Sequence, residues 1–337
     1  MNGLYLDSGW VNAERLTASN APFVIAVGGR GIGKTYGVIK DLLIKNEKFI
    51  YLRRTQTQIE ACKIDALSPF KPICDDLGII VKSKPISKYV AGFFKVNDKE
   101  ELFSVGVSLT AFASIRGFSA QDYDYLLFDE FIPERHERRM THEGEAFLNL
   151  LESINRNREL QDKPPLKVIM LSNANKLDSP ILQAIGALKP LDKMIRKGVE
   201  YSSFFDGDLE IYRYLNSPIS ERKKNTALYR IANNRDFENM SVNNSFGDEI
   251  YENVKSMPLR EFIPLVSIKE MTIYSHKADK IYYVIPGVKC ENVISNDVNF
   301  LKGFRRKYFY LYTALCSGKV FFSDADIKIK FSNIWEI

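Results

Sequence analysis

The chain has 337 residues, 45% of them apolar and 26% charged, with a mean hydropathy slightly below zero, a balance that excludes disordered and fibrous proteins and a length that suits two domains of ordinary size. No stretch approaches the roughly 20 uninterrupted apolar residues of a membrane span, and residues 1–11 lack a basic segment followed by an apolar run, so a cytoplasmic protein with no membrane association is expected. The net charge of +5 is a mild bias towards anionic partners. Cys62, Cys74, Cys290 and Cys316 form no CxxC pair and complete no metal set with His136, His142 and His276, which predicts reduced thiols and no structural zinc.

Apolar, β-branched runs at 23–27, 49–53, 105–111, 125–128 and 167–171 read as strands, with helices between them over 34–45 and 146–155. This alternation is the signature of βαβ units and a parallel sheet. The second helix puts Phe147, Leu150, Leu151 and Ile154 on one face, a core-facing stripe. Residues 207–239, rich in charge and Asn, read as a linker. Beyond 240, runs at 271–274 and 280–285 flank a polar turn at 277–279, a hairpin signal, and 304–315 follows as a helix. The expected division is 1–206, 207–239 and 240–337, the last a small α+β domain.

Gly28-Gly29-Arg30-Gly31-Ile32-Gly33-Lys34-Thr35 matches the G-x-x-x-x-G-K-[ST] phosphate loop at every fixed position, after a strand and at the start of a helix. Glycines turn backbone N–H groups onto the phosphates, the helix N-terminus adds positive potential, Lys34 reaches the β/γ oxygens and Thr35 holds Mg²⁺. Tyr125-Leu126-Leu127-Phe128-Asp129-Glu130 ends an apolar strand on two acids. Asp129 is the expected metal carboxylate, and Glu130 is placed to polarise an attacking water. Asn175-Lys176-Leu177-Asp178 spells the NKxD motif with which GTPases hold guanine. A GTPase would also carry D-x-x-G after the metal acid, whereas here Asp129 is followed by Glu130, Phe131 and Ile132. The Asp-Glu pair points to the additional-glutamate, catalytic-glutamate class of P-loop ATPases and favours ATP. A GTP-dependent switch is the alternative.

Taken together, Gly29–Thr35, Phe49-Ile50-Tyr51-Leu52-Arg53-Arg54, Phe128-Asp129-Glu130-Phe131, Asn155-Arg156-Asn157-Arg158-Glu159, Leu171-Ser172-Asn173-Ala174 and Ser220-Glu221-Arg222-Lys223 resemble the phi29-like phage DNA-packaging ATPases in order and spacing. The resemblance covers roughly residues 20–235. Arg30 sits where large terminases carry a P-loop arginine, and Ser114-Ile115-Arg116-Gly117 resembles their arginine-glycine motif. The resemblance implies an additional-strand ATPase core in an ATP- and Mg²⁺-dependent motor that assembles as a homo-oligomeric ring, a pentamer, on the portal vertex of an empty procapsid in the host cytoplasm. The ring would drive double-stranded DNA inwards, with a structural RNA as a further candidate partner. It also puts Arg156 on the trans-acting arginine that reaches a neighbour's ATP, where a guanidinium would stabilise γ-phosphoryl charge, with Arg158 as the rival. Asn173 either orients the attacking water or caps a turn. Arg53 and Arg54 line either the nucleotide pocket or the DNA channel.

For the C-terminal part the resemblance implies an RNase H-like fold. Terminases hold two metals there on acidic residues and cut DNA. Glu270 and Asp279 do not sit mid-strand, where such a fold needs its first ligand, so the domain reads as a nuclease relic that grips nucleic acid. An active terminase-like nuclease is the alternative. Lys302, Arg305, Arg306 and Lys307, interleaved with Phe304 and Tyr308, form the candidate DNA contact; a solvated helix face is the other reading.

Overall fold

The computed structural model describes all residues except 1–2, 115–121, 134–136, 138–139, 141, 174–176, 178, 216, 232–250, 291–292, 295–297 and 336–337. The chain divides into two units, Met1–Gly247 and Asp248–Ile337.

In the first unit, nine strands are β1 Phe23–Gly28, β2 Phe49–Arg53, β3 Ile80–Pro85, β4 Ala91–Val96, β5 Glu100–Ser108, β6 Tyr125–Asp129, β7 Lys167–Asn173, β8 Tyr201–Phe204 and β9 Leu209–Tyr214. They form one sheet in the order β3-β4-β5-β2-β6-β7-β1-β9-β8. The six strands from β5 to β9 run parallel, and β3, β4 and β8 add antiparallel edges. The central strands are near-continuous apolar runs because both sheet faces are covered. Val38, Ile39, Leu42 and Leu43 of the helix Lys34–Ile44 join Val24, Ala26, Phe49 and Tyr51 in one buried cluster, where each large aliphatic side chain is worth about 1.5–3 kcal/mol relative to exposure. The helix Glu143–Asn155 buries Phe147, Leu150 and Ile154 and leaves Leu151 half-buried.

The sheet is wider than the apolar runs predict. Its outermost strands β3 and β8 are short and polar, as edge strands must be to resist pairing with other chains, so they carry little strand signal. β9 falls inside the segment expected as a linker. Its charges are satisfied locally: buried Arg213 donates from Nη1 to the carbonyls of Met194 at 2.8 Å and Val199 at 3.0 Å, and Tyr212 donates to Glu210 at 2.7 Å. Charge in this strand therefore marks a built structure and not a solvated connector.

The second unit holds β10 Phe262–Ile268, β11 Met271–His276, β12 Tyr282–Pro286, β13 Val293–Ile294 and β14 Val320–Phe322, in the order β13-β10-β11-β12-β14. The expected hairpin is present as β11 and β12. Lys269 and Glu270 (φ 47° and 61°) make the left-handed two-residue turn that matches the twist of β10 and β11. The single helix expected over 304–315 is instead two, Val298–Lys307 and Phe309–Cys316, divided at Tyr308 (φ −110°, ψ 28°). The break keeps Phe304, Tyr308 and Leu311 together in the core of this unit.

Candidate nucleotide site

Strand register places the reacting groups. Gly28 of β1 pairs with Asn173 of β7, Asp129 of β6 pairs with Leu171 of β7, and Leu52 of β2 pairs with Phe128 of β6. Hence Arg53, Asp129, Asn173 and the start of the phosphate loop stand at the C-terminal ends of four adjacent parallel strands, the edge at which open α/β sheets bind ligands.

The loop needs its glycines for two reasons. Gly31 and Gly33 adopt φ 60° and 92°, which side chains resist. At Gly28 a Cβ would lie 2.7 Å from Tyr214 Cβ, so close packing of β9 excludes one. Lys34 is buried, and its Nζ donates to the carbonyls of Gly29 at 2.7 Å and Gly28 at 3.2 Å and to Asn173 Oδ1 at 3.3 Å. Burial pushes its pKa down to about 7 against the pull of Asp129 and Glu130, and the charges of Lys223 and Arg30 add to the fall. A polyanion beside it would favour the charged form again.

Thr35 Oγ1 donates to Asp129 Oδ1 at 2.8 Å. Two hard oxygen donors at this separation fit Mg²⁺, which takes few protein ligands and completes its shell from phosphate oxygens and water. Among the described residues no group of three or more His, Cys, Asp or Glu could hold a metal on protein ligands alone. The other carboxylate oxygen of Asp129 accepts from Tyr51 OH at 2.9 Å and Arg53 Nη1 at 2.9 Å. Burial first, and then the Asp129 charge, raises the Tyr51 phenol well above its ordinary pKa, which keeps it a donor.

Arg53 also donates from Nη2 to Glu130 Oε2 at 2.5 Å. One guanidinium thus holds both acids. Glu130 itself lies at φ 54°, a left-handed backbone that costs a non-glycine residue about 1–3 kcal/mol and is concentrated at functional sites. A cleft of about 380 Å³ brings together Arg30, Lys34, Thr35, Asp129, Glu130 and Asn173. Of the residues expected to act on the phosphates, Gly28, Gly29, Ile32 and Arg156 are not among those lining it.

The arginines singled out in the sequence separate, with Arg30 in the cleft. Arg156 is exposed at the end of the helix Glu143–Asn155, at φ 38° and followed by Asn157 at φ 58°, with its Nε bonded to Ser153 O at 3.1 Å. Its rival Arg158 is buried and structural: it donates to the carbonyls of Pro164 and Tyr123, each at 3.0 Å, and pairs with Asp124. Arg54, undecided from sequence, is fully buried and paired with Glu143 at 2.7 Å and Glu137 at 3.0 Å. Arg158→Ala is therefore expected to destabilise the first unit by about 2–3 kcal/mol, since it strands buried acceptors, whereas Arg156→Ala should change stability by less than about 0.5 kcal/mol. Chemical denaturation of both variants tests this.

Three residues of the quoted segments have contacts that the sequence does not reveal. Arg53 ends a strand, but nothing local shows that it grips both acids. Tyr51 alternates with Arg53 on the strand, which put both on one face, yet a strand Tyr gives no functional signal. Lys223, on the helix Pro218–Lys224, donates to the Arg30 carbonyl. Its approach depends on a chain reversal invisible in sequence. Tyr51→Phe should raise the Mg²⁺ concentration for half-maximal hydrolysis about tenfold while leaving the melting temperature nearly unchanged, because it removes one partner of the carboxylate expected to hold the metal, and no volume. A Mg²⁺ titration of ATPase rate checks it.

In the second unit the basic cluster divides. Lys302, Arg306 and Lys307 are exposed, whereas Arg305 is half-buried with its Nε on the carbonyl of Ile334. Phe304 and Tyr308 are core residues and not surface rings between the charges. Glu270 and Asp279 occupy turns at opposite ends of β11, about 20 Å apart along a six-residue strand, so they cannot share a metal pair. Ile115, Arg116 and Gly117 of the arginine-glycine motif, and Asn175, Lys176 and Asp178 of the NKxD motif, lie outside the described residues.

A large mixed sheet with parallel central strands, and a glycine loop, buried lysine and strand-end acids around one cleft, is consistent with a P-loop nucleotide-binding protein. Residues 6–284 match the family described as Podovirus DNA encapsidation protein (Gp16), and the chain belongs to that family. The fold is shared with the structure titled the Phi-28 gp11 DNA packaging motor (TM-score 0.65, 20% identity, 97% of both chains covered). It is shared too with the bacteriophage Phi-29 viral genome packaging motor assembly (TM-score 0.66, 16% identity, 97% of this chain and 98% of that one). No curated protein matches the chain.

Proposed function

We propose that this protein is an ATPase of the additional-strand, catalytic-glutamate class that drives double-stranded DNA into an empty procapsid. It would act as a homo-oligomeric ring, a pentamer, at the portal vertex in the host cytoplasm. The observation that carries the reading is the single cleft shared by Lys34, Thr35, Asp129, Glu130 and Asn173 in a member of a DNA encapsidation family. The position of β7 between β1 and β6 supports the class.

In this reading residues 28–35 bind the triphosphate of ATP, and Lys34 and Arg30 neutralise its charge. Thr35 and Asp129 hold Mg²⁺, which supplies electrostatic compensation for the phosphates. Glu130 accepts the proton of the attacking water once Arg53 releases it, and Asn173 orients that water or senses the γ-phosphate. Arg156 serves the neighbouring subunit. Residues 248–337 grip DNA through Lys302, Arg306 and Lys307 with Arg305 behind them, as a vestigial nuclease-like domain.

The test is ATP hydrolysis by size-separated oligomers with and without double-stranded DNA. The ring fraction should hydrolyse ATP faster with DNA, the monomer should be nearly silent, and plasmid DNA should stay uncut in Mg²⁺ or Mn²⁺. Absence of hydrolysis in every fraction would reject the reading.

A further inference from the structure

A second and larger cavity, about 780 Å³, lies beside the phosphate cleft, and Gly31, Gly33 and Tyr36 line both. Its other wall is the chain before β1. There Leu6 and Trp10 close a tight loop, with Leu6 N donating to Trp10 O at 2.8 Å and Gly9 N to Leu6 O at 2.8 Å. Val11 N donates to the Ile32 carbonyl at 3.1 Å, which ties this loop to the phosphate loop. Trp10 is consequently held against Gly33, where a Cβ would come within 3.1 Å of the indole, yet 45% of Trp10 remains exposed. Across the groove Tyr36 is fixed by its hydroxyl, which donates to Asp76 at 2.5 Å and accepts from Lys40 at 3.4 Å. Gly37 completes the floor, since a Cβ there would stand 2.9 Å from that of Ala13.

A triphosphate with its terminal phosphates at Lys34 and Asp129 meets the first helical turn with its α-phosphate. The nucleoside must then leave past Gly33 and Tyr36, and the larger groove is what it enters. An indole pinned by backbone bonds but half exposed is preorganised for a flat aromatic ring and loses little freedom on contact. We infer that this groove is the nucleobase site and that Trp10 is the ring on which the base stacks. The inference rests on residues 28–35 being the phosphate site.

The experiment compares equilibrium binding of ATP and of inorganic tripolyphosphate, both with Mg²⁺, to the full-length wild type, Trp10→Ala and Trp10→Phe. Trp10→Ala should weaken ATP about tenfold and change tripolyphosphate by less than about twofold, because stacking involves only the base. Trp10→Phe should restore most of the loss. Trp335→Phe, which leaves Trp10 as the only tryptophan of the two, gives an independent readout: its emission should shift saturably with ATP and not with tripolyphosphate. Unchanged ATP affinity in Trp10→Ala, or equal weakening of both ligands, would overturn the assignment, the second outcome showing that Trp10 only props the phosphate loop. If Lys34→Ala binds tripolyphosphate as the wild type does, it is the phosphate-site reading that has failed instead.

Discussion

Glu130→Gln should bind ATP within a few-fold of wild type and hydrolyse it about 10²–10⁴ times more slowly, the usual worth of a positioned general base. The amide keeps the shape of the carboxylate and can still accept from Arg53, now 2.5 Å from Glu130 Oε2, so the cleft survives while the proton acceptor is gone. Lys34→Ala should fail earlier. Its ammonium is the buried cation of the phosphate loop, and each charge-assisted bond it would give a phosphate is about twice as strong as a neutral one, so affinity itself should fall. Nucleotide binding and single-turnover hydrolysis, measured on the same preparations, separate the two. Near wild-type turnover by Glu130→Gln would remove it as the base and turn attention to Asp129 and its partners.

Arg156→Ala should retain ATP affinity and lose turnover by about 10³–10⁵, the range for an arginine that meets γ-phosphoryl charge in the transition state. Two features of this residue suit a group that works on a neighbour: its exposure, and the consecutive left-handed residues Arg156 and Asn157 that end its helix. The trans arrangement makes a stricter demand. Mixed rings of Arg156→Ala and Glu130→Gln subunits should regain hydrolysis, because some interfaces then join an intact Glu130 to an intact Arg156. A cis arginine allows no such recovery, as every subunit lacks one group. Silence from rings shown to be co-assembled would count against Arg156. Arg158 would not replace it, since its guanidinium is committed to Tyr123, Pro164 and Asp124.

The phosphate loop was legible because its chemistry is local: glycines, lysine and threonine act within eight residues, and the strand and helix that frame them have strong periodicity. Asp129 and Glu130 were legible for the same reason, at the end of a buried strand. What sequence could not supply was lateral order. That β2 lies next to β6, and so delivers Tyr51 and Arg53 to Asp129, follows from pairings between residues 78 and 76 positions apart. Lys223 reaches the loop across 193 residues. Composition cannot tell a satisfied buried arginine such as Arg213 from a solvated one, so the charged strand β9 reads as a linker. Helical periodicity fixes which residues share a face but not which way that face turns, so Phe304 and Tyr308 read as rings interleaved with the basic cluster although they are core residues.

The groups of the phosphate cleft line one edge of the sheet, so a label can be placed at the opposite edge. The turn before β2 holds the exposed Asn46 and the half-buried Glu47, at the far end of the strand from Arg53. A fluorophore attached to a cysteine introduced at Asn46, with the exposed Cys316 and the half-exposed Cys290 replaced and the buried Cys62 and Cys74 left in place, would follow the subunit through a working cycle without entering the cleft it reports on.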